Sequence, residues 1–170
     1  MGFSLRGDGD IGDSGIHVAA AWNAPIEDLV IKGGRISGFQ HGLRCDYVNN
    51  SRIEKMVVSR NANYGVSFNG FQGQCDGNSI RENTITKNTN RGIALYYADG
   101  NRIEANHVSG TTGASSYGIR TANSENNFIL KNTCVGQVNN LSLDPHDTYG
   151  PIVTNTGALA GTDPWANFSR

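Results

Sequence analysis

Arginine, histidine and tyrosine recur at equivalent positions along the chain, next to a repeated glycine–aliphatic pair. A guanidinium group binds carboxylates through paired hydrogen bonds, and a tyrosine ring packs against the face of a sugar. The combination suits a polyanionic sugar, so an acidic polysaccharide is the expected partner. One set reads Ser14, His41, Tyr64, Arg91, Tyr117 and Leu141, and the other reads His17, Arg44, Ser67, Ala94, Arg120 and Asp144. The residues predicted to bind it are Arg44, Tyr64, Arg91, Tyr117 and Arg120. The alternative is an ordinary solvated face on which arginines and tyrosines cover one another.

A second cluster of reactive side chains is the tetrapeptide Asp144-Pro145-His146-Asp147. Imidazole and carboxyl groups are the side chains that most often move protons as general acids and bases. The plainer interpretation is a turn that ends a strand, because Asp-Pro is common at such places. In that interpretation Asp144 pairs with Arg120.

Metal-binding signals are weak. The segment Asp8-Gly9-Asp10-Ile11-Gly12-Asp13 places three carboxylates on a turn, where Asp8, Asp10 and Asp13 are candidate Ca²⁺ ligands. It lacks the remaining ligands of an EF-hand loop, so a solvated loop without a cofactor is favoured. Three cysteines, at positions 45, 75 and 134, match no metal-binding spacing and leave at least one thiol unpaired.

The elements that must position these residues are repeats. A polar or aromatic residue followed by glycine and an aliphatic residue recurs every 23 to 27 residues. The instances are Ser14-Gly15-Ile16, His41-Gly42-Leu43, Tyr64-Gly65-Val66, Arg91-Gly92-Ile93 and Tyr117-Gly118-Ile119, with Leu141-Ser142-Leu143 as a weaker sixth. Between them lie aliphatic pairs held five residues apart, such as Ile80 and Ile85. Self-similarity at this period is typical of stacked repeats.

Apolar residues after each glycine alternate with polar ones, as in Ile93 and Leu95. A period of two indicates strands with one buried face, and no segment keeps a helical period over ten residues. The sequence therefore predicts an all-β fold, a single-stranded right-handed parallel β-helix of about five coils with a C-terminal capping tail. Its inward stack should be Ile16, Leu43, Val66, Ile93, Ile119 and Leu143. A β-sandwich of hairpins is the alternative, but it does not predict a fixed inner spacing.

Each bend between paired aliphatics is predicted at a Gly or Asn, two residues before the second aliphatic. These residues are Gly34, Asn83, Asn106 and Asn132. Both residue types adopt left-handed backbone cheaply, so a left-handed or bridge conformation is expected at these asparagines. Stacked coils would then align the asparagines as a ladder of hydrogen-bonded amides. Met56 occupies the same place in one coil and fits this rule badly.

Charge and hydropathy exclude several classes of protein. The formal net charge is −1, which argues against the basic surface that nucleic-acid binding needs. No apolar run is long enough to span a membrane. Residues 1–6 do not resemble a signal peptide, so either the protein stays inside the cell or its export signal lies outside this chain. The predicted divisions are a partial first coil or N-terminal edge at 1–14, the β-helix at 15–150 and a cap or tail at 151–170, where Trp165 and Phe168 would cover the last coil.

The repeats Asn78–Ile85 and Asn101–Val108 resemble those of pectate-lyase-like and NosD-like parallel β-helix proteins. The resemblance covers roughly residues 15 to 150 and implies the fold. It does not imply one chemistry, because lyases, hydrolases, epimerases, phage spikes and inert surface proteins share this scaffold.

The tetrapeptide at 144–147 resembles the Asp-Pro-His-Asp/Glu motif of mannuronan C5-epimerases. That resemblance implies a site in which His146 is the base, Asp144 orients it or holds the substrate carboxylate, and Arg120 neutralises the substrate. Asp147 completes the motif. The family has a tyrosine where this chain has Leu141, so Tyr149, or else Tyr117, is the candidate replacement.

Three functions remain open at this level. The favoured one is a non-enzymatic extracellular β-solenoid module, structural or carbohydrate-facing, secreted or at the cell surface. The second is a uronan-modifying enzyme, an alginate or pectate epimerase or lyase, or its inactive relative. The third is a subunit that forms homo-oligomers or stacks end to end through its open coils.

Overall fold

The chain folds as a stack of parallel β-coils. The structure is a computed structural model that describes residues 2–8, 12–71, 75–154 and 163–170. Within these ranges no residue is helical, and so no helix there could span a membrane. The predicted all-β class and parallel solenoid are confirmed, whereas the predicted divisions at 1–14 and 151–170 stay predictions.

The strands are short, between two and six residues each. In the first half they are β1 (Ser4–Arg6), β2 (Ser14–Ala19), β3 (Ile26–Glu27), β4 (Val30–Lys32), β5 (Arg35–Ser37), β6 (His41–Asp46), β7 (Val48–Asn49), β8 (Arg52–Glu54), β9 (Val57–Ser59), β10 (Tyr64–Asn69) and β11 (Ser79–Arg81). In the second half they are β12 (Thr84–Thr86), β13 (Arg91–Tyr96), β14 (Arg102–Glu104), β15 (His107–Ser109), β16 (Tyr117–Ala122), β17 (Phe128–Leu130), β18 (Thr133–Val135), β19 (Asn139–Ser142), β20 (Thr148–Tyr149), β21 (Ile152–Val153) and β22 (Asn167–Ser169).

Three parallel sheets run along the stack, because each coil contributes one strand to each sheet. Sheet one has the order β1-β5-β9-β12-β15-β18-β22-β21. Sheet two, which carries the longest strands, has the order β19-β16-β13-β10-β6-β2, and sheet three has the order β20-β17-β14-β11-β8-β4. Strands β3 and β7 form a separate parallel pair.

The core is an inward-facing stack of aliphatic side chains. The predicted order Ile16, Leu43, Val66, Ile93 and Ile119 is observed as direct strand register. The predicted last member is wrong, since Leu141 rather than Leu143 pairs with Ile119. Leu141 and Leu143 are two residues apart and both pack against the core, so alternation alone could not choose between them.

The asparagine ladder is confirmed. Asn83, Asn106 and Asn132 are buried, and each backbone N–H donates to the side-chain oxygen of the next member, at 3.0 Å in both steps. Each side-chain NH₂ also donates back to a backbone carbonyl, as Asn106 Nδ2 does to Ile80 at 2.8 Å. Asn167 in the tail extends the same ladder by one coil.

The left-handed alternative predicted for the backbone of these asparagines is wrong, and the bridge alternative stays a prediction. The left-handed residue is the one before each, namely Glu82, Ala105 and Lys131, with φ of 56°, 55° and 58°. The strain therefore falls on an outward residue, while the asparagine keeps a conformation that directs its amide along the stack. Met56 takes the same place one coil earlier, where its Sδ accepts from Gly34 N at 3.2 Å.

The tail runs beside the last coil. Strand β22 pairs with β18 and β21, and Asn167 is fully buried. Trp165 remains half exposed, with Lys131 Nζ 4.5 Å from its ring centroid, so its contact is with a neighbouring side chain at the surface.

Candidate functional site

The outer side of sheet two carries the predicted binding residues together. We call it the arginine–tyrosine face and define it by Arg44, Tyr64, Arg91, Tyr117 and Arg120. In the observed register the first column is Ser14, His41, Tyr64, Arg91, Tyr117 and Asn139, and the second is His17, Arg44, Ser67, Ala94, Arg120 and Ser142. Leu141 and Asp144 were placed in these columns by sequence and do not belong to them.

A glycine follows each of the first five members of the first column, at Gly15, Gly42, Gly65, Gly92 and Gly118. A Cβ at Gly65 would lie 2.6 Å from the carbonyl oxygen of Gly92 and 2.6 Å from Cγ2 of Ile85. No side chain fits in that space, so the preceding tyrosine or arginine is directed away from the core. The repeat that reveals the fold therefore also sets the direction of Tyr64 and its equivalents.

Arg91 and Arg120 lie among tyrosine rings. The guanidinium carbon of Arg91 is 4.8 Å from the ring centroid of Tyr64 and 5.6 Å from that of Tyr117, and Arg91 Nη1 donates to the Tyr64 hydroxyl. Arg120 lies 4.7 Å from the Tyr117 centroid. Tyr96 lies within 6.0 Å of both arginines, and burial raises the pKa of its hydroxyl.

These two arginines have no ion pair with a carboxylate, as far as the described ranges extend. Arg91 Nε is also buried without a hydrogen-bond partner in the same ranges. The two guanidinium groups lie in adjacent coils in contact with tyrosine rings, an arrangement whose chemistry suits anionic groups.

Arg44 is different, because its charge is compensated. Its Nε lies 2.9 Å from Asp46 Oδ2, and the same carboxylate also contacts His17 Nε2 at 2.9 Å and accepts from Asn69 Nδ2 at 3.1 Å. Burial alone would raise the pKa of Asp46, but these hydrogen bonds outweigh burial and lower it. Burial, together with the nearby Arg44, lowers the pKa of His41.

The tetrapeptide at 144–147 forms a turn with Pro145 and His146 exposed, beside an open cleft of about 480 Å³. His146 Nδ1 lies 3.0 Å from Asp144 Oδ1, and the His146 backbone N–H donates to the same oxygen. Burial raises the pKa of Asp144, yet the bonds from His146 lower it overall. Asp99 and Glu125 also line this cleft, so its electrostatic character is acidic.

In the described ranges, no side-chain hydrogen bond or ion pair joins the other proposed catalytic residues to this pair. Arg120 is in register with Ser142, and Tyr149 belongs to β20 in sheet three, where it pairs with Ile129. Asp147 is buried, and its oxygens accept from Thr121 Oγ1 at 2.6 Å and from both nitrogens of Asn127. Asp147 thus ends a second buried ladder, which begins with Asn78, Asn101 and Asn127.

Several residues beside the arginine–tyrosine face were not identified from the sequence. They occupy the third outward position of the sheet-two strands or the turn that follows: Asp46, Asn69, Tyr96, Phe71 and Tyr97. Continuing the two-residue alternation from Arg44 and Ser67 by one more step gives the first three. Phe71 and Tyr97 lie beyond the strands, where no periodicity applies.

The coils, sheets and face define the chain as a parallel β-helix repeat protein. A family model described as "Periplasmic copper-binding protein (NosD)" matches residues 5–156. The chain therefore belongs to the NosD family of right-handed β-helix proteins, and the predicted resemblance to that family is confirmed.

Solved structures with the same fold include the periplasmic alginate epimerase AlgG, at a TM-score of 0.62 and 24% identity. The match covers 85% of this chain and 39% of that one. A double mutant of AlgG gives a TM-score of 0.64 and 22% identity, over 88% of this chain and 30% of the other. The chain thus spans well under half of these enzymes, and likeness at this identity shows the fold. No curated protein sequence matches the chain.

Copper, named in the family description, requires thiolate, thioether or imidazole donors that converge. Burial raises the pKa of the Cys75 thiol to about 11 and that of Cys134 to about 12, and raises that of Cys45 as well, so the thiols stay protonated. The rings of His17 and His146 already contact aspartates. In the part of the chain that the structure describes, no three His, Cys, Asp or Glu side chains converge, so these side chains do not fit copper.

The predicted calcium ligands cannot be assembled from the structure. Asp8 and Asp13 are described, whereas Asp10 lies outside the described residues. Calcium binding at Asp8, Asp10 and Asp13 stays a prediction.

Proposed function

We propose that this chain is an extracellular or periplasmic β-helix module that binds an acidic polysaccharide along the arginine–tyrosine face, without chemical turnover. The observation that carries the proposal is the pair Arg91 and Arg120, which lie in adjacent coils among tyrosine rings and have no carboxylate partner in the described chain. The periplasmic description of the family supports the location.

The chemistry of the pair matches a uronate. Guanidinium groups bind carboxylates through two parallel hydrogen bonds, and tyrosine faces pack against the apolar side of a sugar ring. Coils of a β-helix are spaced by about 4.8 Å, the distance between paired strands. Consecutive arginines are therefore placed to bind one carboxylate or two successive ones on an extended chain.

We expect Arg120→Ala to weaken binding of tetragalacturonate by roughly tenfold to a hundredfold, because a charge-assisted hydrogen bond contributes about 1.5–3 kcal/mol. Isothermal titration calorimetry at two salt concentrations measures this, and the wild type should lose affinity as salt rises. Arg102→Ala is the matched control, since Arg102 lies on sheet three and already pairs with Glu104 at 2.6 Å. Equal affinity in wild type and Arg120→Ala would contradict the proposal.

A uronan epimerase or lyase is the second candidate, favoured by the Asp144–His146 contact at an open cleft. Removing a weakly acidic C5 proton needs a base, a carboxylate neutraliser and a second proton-transfer group around one sugar. The residues named for those roles form two separate contacts, His146 with Asp144 and Arg120 with Tyr117. The carboxylates that line the cleft also disfavour binding of a negatively charged uronate.

We therefore expect no turnover of alginate or pectate by the purified chain. The readouts are ultraviolet absorbance of an unsaturated product and NMR of the C5 configuration. Activity that His146→Ala abolishes would establish the enzyme instead, and activity that survives this variant would point to a contaminant.

A further inference from the structure

An open cleft of about 400 Å³ lies at the carboxyl ends of β6, β10 and β13, next to the arginine–tyrosine face. Its walls combine aromatic rings with planar polar groups. The residues that matter are Arg44, Asp46, Asn69, Phe71, Tyr96 and Tyr97. The volume lies within the range of small-molecule sites, about 300–1,000 Å³.

The charges of this cleft cancel locally. Asp46 binds Arg44 and His17 with its carboxylate, and Asn69 Nδ2 donates to it as well. Arg44 is the one cationic residue in the described lining, and it is ion-paired. A carboxylate entering here would meet another carboxylate and no free cation, so the cleft disfavours an acidic sugar.

The same groups suit an uncharged sugar. Phe71 is 58% exposed and packs edge-on against Tyr97, with ring centroids 5.9 Å apart. Exposed aromatic faces pack against the C–H face of a pyranose, while carboxylate and amide groups exchange hydrogen bonds with neighbouring hydroxyls. Asp46 and Asn69 place both kinds of polar group beside these rings.

Tyr96 connects this cleft to the arginines. Its ring lines the cleft and also lies 5.5 Å from the guanidinium carbon of Arg91 and 6.0 Å from that of Arg120. A single oligosaccharide can therefore contact both regions. The other cleft, described above beside the turn at 144–147, is lined by Asp99, Glu125 and Asp144. Its negative charge disfavours binding of a further uronate there.

We propose that the cleft at Phe71 and Tyr97 binds a neutral pyranose next to an acidic sugar held at Arg91 and Arg120. The preferred ligand is then a polysaccharide that alternates neutral and acidic sugars, rather than a homopolymer of uronates. This inference rests on the proposed function, because it takes the arginines as the acidic subsite.

The test compares three oligosaccharides by calorimetry: a hyaluronan tetrasaccharide, in which N-acetylglucosamine alternates with glucuronate, tetragalacturonate and cellotetraose. The hyaluronan fragment should bind about tenfold more tightly than tetragalacturonate. Phe71→Ala should remove that advantage and leave tetragalacturonate binding unchanged. Phe128→Ala is the control, since Phe128 is similarly exposed, at 45%, but lies on sheet three.

The outcomes separate the two proposals. In one outcome tetragalacturonate binds as tightly as hyaluronan, and Arg120→Ala weakens this binding whereas Phe71→Ala does not. That outcome would overturn the neutral subsite and keep the acidic one. Loss of the hyaluronan advantage in Phe128→Ala as well would also overturn it. Binding of neither acidic fragment would overturn both proposals.

Discussion

Asn106→Leu should lower the free energy of unfolding by about 3–5 kcal/mol, because each buried polar group left without a partner costs about 1–3 kcal/mol. The Asn106 side chain accepts from Asn83 N and donates to the Ile80 carbonyl and to Asn132 Oδ1, at 2.8–3.0 Å. Leucine can form none of these hydrogen bonds, and its tetrahedral Cγ replaces the planar amide group. Denaturant unfolding followed by circular dichroism measures the difference.

The matched control is Asn90→Leu. Asn90 also bonds to an asparagine of the neighbouring coil, Asn63, but this contact is exposed, so water replaces it. A change within about 0.5 kcal/mol is expected there. Equal effects of the two variants would show that burial of the Asn106 ladder contributes nothing to stability.

Asp147→Ala should destabilise the protein by about 2–4 kcal/mol through the same mechanism, as unpartnered buried groups cost about 1–3 kcal/mol each. The variant leaves Asn127 N, Asn127 Nδ2 and Thr121 Oγ1 without their acceptor. Thermal unfolding measures the loss. The result would assign Asp147 to the fold rather than to proton transfer.

Asp147→Asn is the informative companion, because it keeps one oxygen for Asn127 and removes the charge. We expect it to retain most of the stability that Asp147→Ala loses. If Asp147→Ala unfolds at the wild-type temperature, the ladder does not depend on its last member, and Asp147 is free for another role.

The sequence predicted the parts of the fold that depend on local alternation and on glycine. Val66 and Ile93 could be aligned because Gly65 and Gly92 mark the same turn in consecutive coils. The last coil has Asn140 where the others have glycine, and two candidate leucines follow the same alternation. The sequence alone therefore could not fix the register of the last strand of sheet two. For this reason Asp144 was wrongly placed beside Arg120.

The candidate site could be predicted only for the residues that lie in the two outward columns of sheet two. Tyr64, Arg91 and Tyr117 follow directly from the repeat, whereas the difference between Arg44 and Arg91 does not. That difference depends on Asp46, which lies two residues beyond Arg44 and has Tyr96 as its equivalent two coils later. Whether an arginine is neutralised is a property of its neighbours in three dimensions.

The tyrosine rings around Arg91 have a consequence for the entropy of binding. A free arginine on a surface samples many rotamers, and fixing such a side chain at an interface costs about 0.5–1.5 kcal/mol. Tyr64, Tyr96 and Tyr117 already confine the Arg91 guanidinium in the unliganded protein. That cost is met when the chain folds, so under the proposed function a carboxylate should bind Arg91 several-fold more tightly than a mobile arginine that makes the same contacts.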